Sequence, residues 1–216
     1  YRSKNFTHHN LHSEKTFQLS KERVKSIEGD NQGRLWIGYY TNGIDLINPK
    51  TNHRKIIKAG VPPYNLPVVT IETIFNDSRD QIWVGTYQEG LLKFDTNSNR
   101  FLECQINPDD VSNSIGLDTR GIIEDQQGNL WLATHGLGLA KFNPEKSSFS
   151  FITKNEKDPR KSLSLDWQYD VLEDHKGNIW VATAYGLNKI KNDYTVDKYF
   201  YSENDTNSLS NSNIYT

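Results

Sequence analysis

The chain has 216 residues, with 25 Lys and Arg against 27 Asp and Glu for a formal net charge of −2, and 12% of its residues are aromatic. That length suits one domain or two. Five Trp, eleven Tyr and nine Phe can build a core, which excludes a compositionally disordered chain, and the balanced charge argues against a nucleic-acid or anionic-membrane footprint.

No apolar stretch approaches the roughly 18 residues that span a bilayer; the longest, around Val68 to Phe75, is interrupted by Thr and Glu. Membrane insertion by this segment is therefore not expected. The single Cys104 excludes an internal disulfide and a cysteine-based metal cage. The chain begins at Tyr1 and holds no Met, so it is expected to be a piece of something longer.

In chain order, Tyr1 to Thr7 reads as the outer strand of a preceding blade, with residues 1–23 completing that blade and its connection onward. A repeat then begins. Trp36, Trp83, Trp131 and Trp180 are 47, 48 and 49 residues apart, each with an Asp six residues earlier (Asp30, Asp77, Asp125, Asp174) and an aliphatic three before that (Ile27, Ile74, Ile122, Val171). The short apolar runs are bounded by Gly, Asn and Asp and lack helical periodicity, so they read as strands. In the first copy these are strand a around Ile27, strand b at Leu35-Trp36-Ile37, strand c from Ile44 to Ile47 and strand d from Arg54 to Ile57. Later d strands fall at Phe101 to Cys104, Phe149 to Ile152 and Val196 to Tyr201.

Three successive apolar residues on strand b mean that both faces are covered, as when each sheet lies between two others. The small residue two past each Trp (Gly38, Gly85, Ala133, Ala182) implies a close neighbour. In the a-to-b turn, Gly33, Gly128 and Gly177 supply the positive φ that a type I turn followed by a left-handed residue requires, and Asp80 replaces Gly in the second copy. The fold predicted is all-β: a β-propeller with blades at about 24–70, 71–118, 119–167 and 168–213, and the start of another over 214–216.

These residues resemble the two-component regulator propeller repeat, a strand followed by Asp-x-x-Gly-x-Leu-Trp-Ile-Gly-Thr, a turn and Gly-Leu. Thr86, Thr134 and Thr183 fit that pattern, whereas Tyr39 departs from the Thr. Ser114-Ile115, Ser162-Leu163 and Ser208-Leu209 match the step before strand a, and the three-Pro linker from Ala59 to Pro67 breaks it. The resemblance implies about seven blades per ring, so four complete blades and two partial ones are expected to be part of a larger propeller.

Up-and-down blades put the Asp-x-x-Gly turns on one face, where the Asp side chains are expected to cap backbone N–H groups. The opposite, variable face carries the b-to-c turns and the residues leading into strand a. There the copies diverge: Tyr39 and Tyr40, Tyr87, His135 and Tyr185 lie in the turns, and Arg23, Arg120, Asp166, Trp167 and Tyr169 in the lead-ins. Aromatic faces, charges and amides converging near an axis suit a ring-bearing polar ligand such as a sugar. The blander readings are packing of Tyr39, Tyr87 and Tyr185 on adjacent blades and a structural cover for Trp167. The four repeat Trp are expected in the core. No metal or cofactor is expected: His8, His9 and His12 lack a carboxylate pattern, His175 reads as a solvated turn residue, and Gly136-Leu137-Gly138 lacks the third Gly of a dinucleotide cradle.

By resemblance, the segment is the extracytoplasmic, periplasmic sensor portion of a hybrid two-component regulator that detects an oligosaccharide. It is not itself an enzyme, and its parent is a histidine kinase. Its partners would be the rest of the propeller, downstream signalling domains and a second copy in a homodimer. The alternatives are a propeller lyase or hydrolase, for which Asp118, Asp166 and His135 are the acid/base candidates, and a protein-interaction scaffold.

Overall fold

A computed structural model describes residues 19, 22–67, 70–106 and 117–215. The expected strand over Tyr1 to Thr7, the three N-terminal His, the Ser114-Ile115 step and Thr216 lie outside them. Sixteen strands form four sheets: β1 Val24–Gly29, β2 Leu35–Tyr39, β3 Ile44–Asn48 and β4 His53–Ile57; β5 Ile71–Asn76, β6 Ile82–Thr86, β7 Leu91–Asp95 and β8 Arg100–Glu103; β9 Thr119–Glu124, β10 Leu130–Thr134, β11 Leu139–Asn143 and β12 Ser148–Ile152; β13 Gln168–Glu173, β14 Ile179–Thr183, β15 Gly186–Ile190 and β16 Val196–Tyr199. Each strand pairs antiparallel with its sequence neighbour, and the first strands β1, β5, β9 and β13 pack in succession as the inner edges of the sheets. Four blades of a β-propeller result. Among the described residues no helix is long and apolar enough to cross a membrane.

Each blade is locked by the carboxylate that opens its first turn. Oδ1 of Asp30, Asp77, Asp125 and Asp174 accepts the backbone N–H groups two and four residues on, at 2.8–3.1 Å. Oδ2 of the same side chain accepts the indole N–H of the Trp six residues on, at 2.9, 3.0, 2.8 and 3.0 Å. The expected backbone cap is present, and the indole bond adds a second function that explains the constant spacing. A cation covers each ring: Lys93 over Trp83, Lys141 over Trp131 and Lys189 over Trp180 from the neighbouring strand, and Arg34 over Trp36 where Leu46 holds the lysine position. At the turns Gly33, Gly128 and Gly177 have φ of 73°, 76° and 78°, and Asp80 has 59°. The strain at Asp80 is offset by its carboxylate, which accepts the Asn31 N–H of the preceding blade at 2.9 Å and the Asn76 amide at 3.0 Å.

The Trp of one blade packs on the third strand of the next. Trp36 meets Phe94 edge-on at 5.1 Å and Trp83 meets Phe142 at 5.7 Å, while Trp131 shares a cluster with Ile179, Val181 and Ile190. Close approach fixes the small residue after it: a Cβ on Gly85 would lie 2.6 Å from Thr73 Cγ2 and 2.8 Å from the Thr119 carbonyl of the next blade. Trp36, Trp83 and Trp131 are buried, as expected, whereas Trp180 is only partly so and stacks instead on Tyr199 of its own blade at 5.6 Å. The two flanks of the arc carry the side chains that are buried inside it. Ile27 and Leu172 are each 61% exposed, while Ile74, Ile122 and Val171, the equivalents of Ile27, are at most 7% exposed. The last outer strand stops at Tyr199, two residues before the expected end, because Tyr201 turns to bridge Leu209.

Removing the clamp tests its weight. Asp125→Ala strands the Trp131 indole and two turn amides and is expected to cost about 2–3 kcal/mol in denaturant unfolding. Burial pushes the Asp30 and Asp125 carboxyls up, but the bonds they accept hold both below the usual range, and the Trp180 bond does the same at Asp174. Lowered folded values mean a contribution complete above about pH 4 and lost as pH falls toward those values. Asp125→Ala should therefore show a flatter acid limb, and identical midpoints and limbs would remove the clamp from the stability argument.

Candidate functional site

On the variable face a backbone bond joins turn to lead-in in every blade. Tyr40, Tyr87, His135 and Ala184 donate their N–H groups to the carbonyls of Arg23, Thr70, Asp118 and Trp167, at 3.0, 3.3, 2.9 and 3.1 Å. The two divergent sets are therefore neighbours, as the up-and-down order requires. Ile214 N–H donates to the Thr183 carbonyl at 3.0 Å, which puts the following residue, Tyr215, in line with the lead-in residues before it.

Two residues before the aliphatic of each first strand lie Lys25, Glu72, Arg120 and Tyr169, and side chains at this position meet from blade to blade. Lys25 Nζ is 2.6 Å from Glu72 Oε2, and Arg120 donates to the same oxygen at 3.4 Å and to Asp118 Oδ2 at 2.7 Å. Tyr169 then stacks on Tyr215 with ring centroids 4.5 Å apart. Burial alone would weaken the Arg120 proton's hold, but the hydrogen bond and charge of Asp118, with Glu72, keep its pKa above the ordinary value. Burial and the Tyr215 hydroxyl raise Tyr169, which stays a neutral phenol. Asp118 Oδ1, Arg120 Nε and Gln168 Nε2 are buried without a hydrogen-bond partner among the described residues.

At the junction of the third and fourth blades His135 lies on Trp167 with centroids 4.6 Å apart and 6.5 Å from Tyr169, and its Nδ1 is 3.8 Å from Asp118 Oδ2. Trp167 is 52% exposed. The fold thus gathers four of the expected residues, Arg120, His135, Trp167 and Tyr169, into one group. Tyr185 flanks it, resting on Phe200 at 5.2 Å. Asp166 is partly committed: its Oδ1 accepts the Lys154 N–H at 2.6 Å and its carbonyl accepts Gly136 and Gly138. Arg23, Tyr40 and Tyr87 are exposed on the first two blades, with Lys25 Nζ 5.9 Å from the Tyr40 ring.

Tyr39 does not line this face. It is fully buried and donates its hydroxyl to Asp45 Oδ2 at 2.7 Å, and Asp45 also pairs with Arg54 at 2.8 Å. The departure from Thr at this position is coupled to an Asp where the second and third copies have Leu92 and Ala140, and that coincidence was the available signal. Lys25 and Glu72 were missed by sequence reasoning; their signal was a charged residue in register within an apolar strand. His175 is exposed, as expected for a turn. Burial pushes the Cys104 thiol up to about 12, which disqualifies it as a nucleophile, and among the described residues no cluster of His, Cys, Asp and Glu suits a metal ion.

Fold and site define a β-propeller with one structural and one divergent face. A family model described as two component regulator propeller matches residues 18–41 and 111–136. Among solved structures it is similar to the extracellular domain of the putative hybrid two component system BT4673 from Bacteroides thetaiotaomicron, at 19% identity, 89% coverage of this chain, 24% of that one, and a TM-score of 0.73. The corresponding domain of BT3049 from the same organism gives 20% identity, 87% and 26% coverage and a TM-score of 0.69. Virginiamycin B lyase from Staphylococcus aureus gives 12%, 86% and 57%, and 0.60. The chain spans about a quarter of the two Bacteroides domains. Curated proteins give no significant match.

Two variants separate surface from structure. Tyr87→Ala with Trp167→Ala should leave stability within about 0.5 kcal/mol, both rings being exposed. Arg120→Met abandons the buried Asp118 carboxylate and should cost about 3 kcal/mol. Thermal unfolding checks both, and the reverse order of effects would relocate the aromatic pair to the core.

Proposed function

We propose that this propeller segment is the extracytoplasmic, ligand-sensing part of a hybrid two-component receptor that detects an oligosaccharide. The observation that carries the reading is the group of His135, Trp167 and Tyr169 set beside the Arg120–Asp118 pair. The exposed Trp167 offers apolar area to a pyranose while an oriented ion pair fixes its hydroxyls. The repeat match and the likeness of fold to extracellular domains of putative hybrid two component systems support the same reading. The segment itself is not an enzyme; kinase activity belongs to the parent chain. In this reading the segment sits in the periplasm, joined to further blades and downstream domains, and ligand binding shifts the balance between two arrangements of a homodimer.

A second reading has one observation in its favour: His135 Nδ1 lies 3.8 Å from Asp118, an acid/base arrangement on a fold shared with a lyase. It is the weaker reading, because Asp118 Oδ2 is held by Arg120 and the imidazole is covered by Trp167. Calorimetry of the intact extracytoplasmic region against an oligosaccharide panel, with turnover followed on any binder, decides between them. Binding without turnover is expected, and Trp167→Ala should weaken it about tenfold. Turnover abolished by His135→Ala would establish the enzyme instead, and capture of a protein partner with no response to sugars would favour a scaffold.

A further inference from the structure

The inner wall of the variable face is electrostatically closed. Lys25 is matched to Glu72, and Arg120 to Asp118 and Glu72, at 2.6, 2.7 and 3.4 Å. The two carboxylates have side chains only 3% and 8% exposed. Among the described residues of the lead-ins, the inner ladder and the b-to-c turns, Arg23, Lys25 and Arg120 stand against the carboxylates of Glu22, Glu72, Glu89, Asp118 and Asp166. The next two positions of the ladder, Tyr169 and Tyr215, bring no cation.

An anionic ligand would have to take Arg120 or Lys25 from its carboxylate and leave a buried, uncompensated charge behind. Hydroxyl groups require no such exchange. They donate to carboxylate lone pairs left free by the ion pairs and accept from remaining guanidinium and amide N–H groups. The exposed rings supply apolar area in two places, Trp167 on His135 and Tyr185 on Phe200, with the first-named rings 52% and 58% exposed. Resting on the sugar-sensing reading above, we infer that the ligand is an uncharged oligosaccharide laid across the third and fourth blades, not a uronate-bearing or sulfated one.

The test is calorimetric titration of the intact protein with cello-, xylo- and manno-hexasaccharides, and with oligogalacturonate and heparin-derived hexasaccharides, at low and high salt. One of the neutral series should bind with little salt dependence, and at least about tenfold more tightly than either acidic series. Glu72→Gln removes one carboxylate with little change of shape and should raise acidic binding about fivefold, with thermal unfolding recorded as the control for fold. Preferential binding of an acidic hexasaccharide that falls steeply with salt overturns the inference and leaves sugar sensing standing. Silence toward every hexasaccharide overturns both.

Discussion

Each blade depends on one carboxylate with two assignments. Its first oxygen holds the turn between the first two strands and its second holds the indole that the next blade packs on. Local chain reversal and blade-to-blade packing are thereby tied to a single side chain, because six residues from the Asp the second strand has returned far enough for the Trp ring to lie beside it. An apolar side chain here would leave the indole N–H unsatisfied, and a shift of one residue would turn the Trp to the other face of its strand.

This constraint acts at one end of the blade. The turn face is occupied by the clamp, and its neighbours reinforce it across the junctions: Ser78 donates its N–H and hydroxyl to Glu124 of the next blade, and the Asn76 amide donates to the Gly29 carbonyl of the preceding one. At the other end, backbone bonds join turn to lead-in, and those bonds ask nothing of the side chains. The variable face is consequently free to differ from copy to copy, which is why the ion-pair ladder and the aromatic group reside there. Closing the ladder on itself stabilises the inner edges and, in the same arrangement, gives the face its polarity.

The repeat also explains the asymmetry of burial along the arc. Every blade presents an aliphatic residue to the blade before and a Trp to the blade after, so the terminal blades carry the same surfaces without a neighbour among the described residues. Ile27 and Trp180 have the side chains of interior residues in exposed or half-exposed positions. Trp180 recovers part of its packing from Tyr199 and Lys189 within its own sheet.

Strand order, the left-handed turn residue and the location of the four Trp were legible in the sequence, because each depends on contacts within one period of about 48 residues, where spacing and chemistry appear together. The positive φ of Asp80 was foreseeable for that reason, whereas its bond to Asn31 was not. Contacts between periods follow another rule: Lys25, Glu72 and Arg120 are neighbours only because successive first strands stand side by side, and nothing local distinguishes a paired charge from a solvated one. Tyr39 shows the same limit from the opposite side, since only the packed blade reveals that its hydroxyl is spent on Asp45 and Arg54 shares that partner. Sequence alone determined a repeating four-stranded unit and the face on which the copies differ. The stacking of those units decided which of the differing side chains meet, because meeting requires the inner edges of separate blades to be brought within a few ångströms.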